Sequence, residues 1–532
     1  MKLRFWKLAG LAAILLFATA VLPGITSASE LGGKWYADKH APFMIKVVDS
    51  QTGRGIPLVE LRTTNNISYY TDSAGVAAFN EPGLMDQSVF FHMTSDGYEV
   101  PADFFGYHGQ AVTVTPGGSA TLQMNRVNIA ERLYRVTGQG IYRDSLLLGL
   151  DTPIKEPVVN GLVMGQDSVQ TIKYRNKLYW FWGDTDRPAY PLGNFRTTGA
   201  TSKLPGNGGL DPDVGVDLKY FTQPDGFVKS MVPPLSDGAN MAWVFGLMTA
   251  KDATGKERLL AGYSTLNPEL VSHGILAFND ETEQFEQVVQ FPSKDDWRHP
   301  GGQASYYEEN GKGYWLFTEH RIPNLRVAAS YEAIIDPNQY EAFTCLMPGT
   351  AYDGANSSLE RDANGKLVWG WKKNAPPVSQ DQEKELIQLG LITADDTHYY
   401  QLKSADDGEE VQLAQSSVEW NPYRQRYVMI GQQLFGKTSV LGEIWYAEAA
   451  SPQGPWTTGK KIITHDNYTF YNPAQHPIFS KDGGRVIYFE ATYTNTYTEH
   501  VPTPRYNYNQ VMYKLDLGDP RLGLQPVQSP AE

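Results

Sequence analysis

The residues that could do chemistry gather in one stretch. From Asn176 to Pro188 the sequence NKLYWFWGDTDRP runs four aromatics into an acidic turn at Asp184 and Asp186, and VMGQDS just upstream adds a carboxylate at Asp167. Carboxylates brought close together can divide labour. An ionised one takes a proton or attacks an electrophilic carbon, while a neighbour raised by like-charge repulsion keeps a proton to donate. In LYWFWGD a strand alternation would put Tyr179 and Phe181 on one sheet face and Trp180 and Trp182 on the other. The strand is therefore expected to be structural. Its acidic end, with Trp182 and Asp186 as substrate contacts, is expected to be functional.

Such groups need elements that bring distant segments together, and the sequence repeats a coarse unit of polar entry, strand, turn and aromatic strand. With Asp167, Asn240, Gln303, Asn356, Ser416 and His476 as entry markers, successive units lie 73, 63, 53, 60 and 60 residues apart. Glu309-Asn310-Gly311, Asn364-Gly365 and Asp482-Gly483-Gly484 are hairpin signals inside these units. No long amphipathic helix interrupts the series. The fold class is all-β: a propeller over 138–520 with five blades, or six if every unit is a blade. In that architecture the entry residues converge on the central axis, where neutral polar ones can be satisfied by one another, by water or by a ligand. An ionisable Asp167 there points more strongly to function.

Ahead of the propeller, residues 41–125 read as a small β-sandwich. The pattern DSQTGRGIP followed by TDSAGVAAF, over roughly eighty residues, resembles the carboxypeptidase-regulatory or transthyretin-like modules attached to secreted enzymes. The resemblance implies an accessory domain without chemistry. Asp49 and Asp72 are read as turn formers.

The propeller repeat, the QDS entry and EIWYAEAASPQGPW together resemble the secreted five-bladed glycoside hydrolases of the arabinanase, β-xylosidase and invertase-like group. The resemblance implies a carboxylate pair facing a sugar on the axis, with Asp167 as base or nucleophile and Asp184 orienting sugar or water, or tuning the acid. A glutamate would be the proton donor. Glu319 in WLFTEHR is the first choice, Glu490 in IYFEATYT the second, and Glu419 in SSVEWNP reads as surface. Asn240, Asn356 and His476 at blade entries, Glu490, and the ionisable group His299, His320 and Arg321 complete the expected sugar-binding set. Axial histidines lie near a bound ion in some relatives, whereas a structural role for His476 is the simpler expectation. No metal is required by any ligand spacing, and the Asp and carbonyl oxygens at the axis are compatible with calcium. A polysaccharide lyase using a His or Tyr base, and a non-catalytic carbohydrate-binding or cell-surface protein, are the competing readings.

Composition sets outer bounds. A net charge of −14 and the absence of a basic cluster exclude nucleic acid as a partner class, while 31 Tyr, 22 Phe and 12 Trp suit a carbohydrate ligand as well as sheet cores. Lys2, Arg4 and Lys7 before an apolar run from Leu8 to Ala20, then Pro23 and small residues, read as a signal peptide over 1–29. The expected location is secreted or periplasmic, with no stable membrane insertion after cleavage. Cys345 is the only cysteine, so no internal disulfide is available and burial must hold the chain together.

Overall fold

In the computed structural model the described residues are 40–292, 297–319, 321–398 and 402–524. The signal-peptide segment 1–29 and His320 lie outside them. Among the described residues, no helix is long and apolar enough to cross a membrane.

Five sheets form the blades of a propeller. The innermost strands are Gln170–Tyr174, Met241–Lys251, Ala304–Glu309, Leu413–Asn421 and Thr469–Gln475, in blades I to V. Each continues outward through antiparallel neighbours: Lys177–Trp182, Glu257–Leu266, Lys312–Phe317, Arg426–Gln433 and Val486–Thr494 are the second strands. Blade V is completed by Glu131–Arg135, the earliest propeller strand in the chain, which pairs with Asn509–Asp516 and so closes the ring. Closure ties the two ends of the ring together, and the edges that remain are the outer strands of the blades.

The cores are the seams between blades. Trp180, Trp182, Tyr134, Tyr488 and Met512 fill the seam between blades V and I, and Tyr179, Phe181, Val244 and Phe278 that between I and II. The expected alternation in LYWFWGD is therefore seen, with its two sets of rings serving different seams. Trp182 is fully buried and stacked on Trp180 with 6.1 Å between ring centroids, which makes it core and not a sugar contact.

The unit marked by Asn356 is not a blade. Residues after Glu341–Thr344 make an excursion from the outer edge of blade III, with a helix at Gln380–Gln388 capped by Ser379 and a small core of Cys345, Leu346, Leu367, Val378 and Leu386. The propeller has five blades. Burial pushes the Cys345 thiol up to about 12, which leaves it an inert core residue.

Residues 43–126 make two four-stranded sheets that share one core of Phe43, Ile45, Leu61, Phe79, Phe91, Leu122 and others. Asp72 forms its turn by accepting from Ala74 N, and its other oxygen accepts from Ser145 N at 2.7 Å. With Tyr506 donating to Thr71 O at 2.7 Å, this contact fastens the sheets to the propeller.

Candidate active site

One end of the axis opens into a cavity of about 530 Å³. It is built where inner strands begin and second strands end: Asp167, Ser168 and Gly183 come from blade I, Trp243 and Phe245 from II, Gln303, Thr318, Glu319 and Arg321 from III, Gln415 and Ser416 from IV, and Asn472 from V.

Asp167 sits in a turn that is held from both sides. Its carbonyl accepts from Gly183 N at 2.8 Å, the preceding Gln166 N–H goes to Tyr508 O at 2.8 Å, and the following Ser168 N–H goes to Thr492 Oγ1 at 3.0 Å. Blades I and V are thus joined at this residue. A Cβ on Gly183 would stand 2.3 Å from Asp167 Oδ1, so the glycine is what lets the carboxylate lie against the neighbouring strand. Glu319 is placed by the same device: a Cβ on Gly301 would stand 2.0 Å from its Oε2.

The Tyr471 hydroxyl donates to Asp167 Oδ2 at 2.6 Å, and Tyr508 brings a second phenol to the same carboxyl. Burial pushes Asp167 up to about 6, and the charge of Asp184 adds to this against the two phenols. The group is ionised at neutral pH yet easily protonated just below it. Asp184 does not line the cavity but stands behind it, accepting from Trp243 Nε1 at 3.0 Å. Burial raises it as well, and Asp186 adds a like charge. Asp186 uses its carboxylate to close a hairpin on Leu192 N and does not reach the cavity.

Arg321 lines the cavity and donates to Gln380 Oε1 at 3.0 Å. Its backbone carbonyl takes the Ser416 hydroxyl, and Gln303 Nε2 donates to Val169 O at 2.9 Å, so these two entry residues link blades as well as facing the cavity. Ser168, Arg321 and Asn472, all in the cavity wall, have φ of 56°, 75° and 59°. Non-glycine residues in that region carry backbone strain that persists where surroundings over-determine it, often at functional sites.

Several expected contacts lie elsewhere. Asn240 is exposed and pairs with Asn267, Asn356 belongs to the outer excursion, and His299 stacks on His273 with 4.3 Å between centroids. His476 and Glu490 are buried together below the cavity, Nε2 to Oε1 at 3.0 Å, with Thr171 Oγ1 on the other ring nitrogen at 3.2 Å. They are a structural pair with both side chains out of solvent: Glu490 lies on the second strand of blade V, and His476, just past the end of the inner strand, packs in the seam against Trp180 of blade I with 5.3 Å between ring centroids. Glu490 is therefore not a donor candidate. Glu419, expected at the surface, is half-buried on the inner strand of blade IV and faces a separate cavity of about 250 Å³ at the opposite end of the axis. The sequence reading missed Tyr471 and Tyr508. They are about 300 and 340 positions from Asp167, and a bulge after Tyr471 breaks the alternation that would have aimed it inward.

Among the described residues, no group of three or more His, Cys, Asp or Glu side chains could hold a metal ion.

No family model and no curated protein matches the sequence. Solved structures do resemble it in architecture. A GH43_1 enzyme from Xanthomonas citri is 11% identical over 66% of this chain and 87% of its own, with a TM-score of 0.32. An endo-arabinase from Bacteroides thetaiotaomicron is 13% identical over 64% and 94%, with a TM-score of 0.30. An α-L-arabinofuranosidase from Fusarium graminearum, solved with an iminosugar inhibitor, is 11% identical over 73% and 99%, with a TM-score of 0.34. At these identities and TM-scores the likeness gives no residue of this chain a role.

Proposed function

We propose that the chain is an exported glycoside hydrolase whose reaction is centred on Asp167. The observation that carries this reading is a carboxylate raised to about 6 by burial and the charge of Asp184, against two phenolic donors that favour its ionised form, in an open axial cavity that it shares with Glu319. Glycosidic cleavage asks for this division: an ionised carboxylate activates water or attacks the anomeric carbon, and a protonated partner gives its proton to the departing oxygen. Asp167 takes the first role and Glu319 the second. Asp184 acts through Asp167, raising its basicity by like charge, and holds the Trp243 ring against the cavity. Trp243 and Phe245 offer apolar faces to a sugar, with Gln303, Arg321 and Asn472 at hydroxyl height. The basic start and apolar run of residues 1–29 support export.

Reducing-sugar release from a panel of arabinan, xylan, galactan, β-glucan, mannan, polygalacturonan and alginate tests the reading, with absorbance at 235 nm followed in parallel. Release by the native protein that is lost in Asp167→Asn and in Glu319→Gln supports it. New absorbance would instead mean elimination, with Arg321 neutralising a uronate, and silence across the panel would overturn the hydrolase.

A further inference from the structure

Three loops follow second strands at the cavity end of the propeller: 183–197 in blade I, 434–443 in blade IV and 495–508 in blade V. Each carries a bulky apolar side chain into solvent from a left-handed backbone. Phe435 is 70% exposed at φ 56°, Tyr497 68% exposed at φ 65°, and Leu192 38% exposed at φ 52°. Beside them Tyr190 and Val501 are 64% and 80% exposed. Left-handed backbone is unfavourable for such residues, and an exposed ring regains nothing from burial. Two costs fall on the same positions. At the opposite end of the axis, Trp420 is 44% exposed and has no such backbone.

The loops are tied to the cavity. Leu434 N donates to Gln412 O at 2.8 Å, just before Ala414 and Gln415 enter the cavity wall. Asn495 N donates to Asn507 Oδ1 at 2.8 Å, next to Tyr508 on Asp167. Leu192 N donates to Asp186 in the hairpin that leaves blade I just after the cavity residue Gly183. Between the apolar points lie polar stretches, Gly436-Lys437-Thr438-Ser439 and Asn495-Thr496. A protein partner calls for a contiguous apolar core to its interface, and these points are separated. Separated flat rings among hydroxyls and amides match a chain that alternates C–H faces with hydroxyl edges.

We propose that Phe435 on blade IV, Tyr497 on blade V and Leu192 with Tyr190 on the adjoining blade I form an outer binding track for a neutral polysaccharide that continues out of the axial cavity. This rests on the reading of the cavity as a sugar site, and it adds that the substrate is a polymer. An acidic chain surface disfavours a polyanion.

The test is native electrophoresis of the Asp167→Asn protein through gels holding each polymer of the panel, which reads binding without cleavage. At least one polymer is expected to retard it. Adding Phe435→Ala with Tyr497→Ala is expected to weaken the apparent Kd at least tenfold, and Leu at both positions to do nearly the same, since bulk without a flat ring does not suffice. Trp420→Ala should leave retardation as it was. In the active protein, the double substitution should lower the ratio of kcat/KM for polymer over trisaccharide about tenfold. Retardation unchanged by the double variants, equal losses on polymer and trisaccharide, or no retarding polymer would each overturn the track. Retardation of a polymer that the native protein does not cleave would sink the hydrolase and leave the track standing.

Discussion

The two ends of the propeller axis both bury carboxylates, and they treat them differently. At the open end Asp167 meets two phenolic donors, a second carboxylate behind it and a cavity in front. Below it Glu490 is locked to His476 with no exposed surface, and at the far end Glu419 receives no hydrogen-bond donor from the described residues and is pushed up by burial alone to about 8. On the proposed function the same functional group serves as a reagent, a structural bolt and a neutral filler within one molecule. Donors and access, more than burial as such, set the outcome.

The contrast can be broken in four places. Asp167→Asn should lower kcat/KM on a cleaved polysaccharide by about a thousandfold while thermal unfolding moves by only a few degrees; a loss below tenfold would make Asp167 a structural residue like Glu490. Glu490→Ala should lower the free energy of unfolding by about 3 kcal/mol in urea titrations, because it strands His476 in a sealed seam. If activity fell while stability held, the bolt would belong to the site after all. Tyr471→Phe should cost about tenfold near pH 6, since a lost donor destabilises the ionised Asp167. The acid limb of kcat/KM, expected near the carboxyl's value of about 6, should move upward in that variant; a limb that stays put would remove the phenol from the argument.

The smallest effect concerns Glu419. Its folded value of about 8 lies above its ordinary 4.5, so its contribution to stability is complete below about 4.5 and is lost as pH rises through about 8. Glu419→Gln should therefore match the native protein at pH 4 and exceed it by about 1 kcal/mol above pH 8, a figure reduced for partial exposure. Equal stabilities at both ends of that range would mean that the carboxyl is well solvated.

Much of the architecture was legible because a blade is a local unit. Periodicity and hairpin signals such as Asp482-Gly483-Gly484 lie within a few residues of the turns they make. The same locality misled at Asn364-Gly365. That turn is real, with Gly365 at φ 81° and Arg361 bridged to Leu367, but turn chemistry does not say whether a hairpin sits at the axis or the rim. Asp167 and Glu319 stood out because ionisable residues end or begin aromatic strands there. Their partners did not, because Tyr471 and Tyr508 look like any of the 31 tyrosines until ring closure brings blade V against blade I. Glu419 was misplaced for a related reason: a polar residue just before a turn has the signature of a surface position whichever way its strand faces.

The closing strand Glu131–Arg135 has a history as well as a position. Asn509, where its partner strand begins, follows Arg135 by 374 positions, which at translation rates of about 5–20 residues per second leaves Leu133 and Tyr134 waiting roughly 20–75 s for their sheet. During that interval the two small sheets, already complete at Arg126, offer a berth: Arg132 donates to Pro57 O and Asp96 O, and Arg54 donates to Leu133 O. The N-terminal module precedes the closing strand in the chain and hydrogen-bonds to it through Arg54, Pro57 and Asp96, so the segment that waits longest for its sheet partner is also the one with a second neighbour close by in sequence.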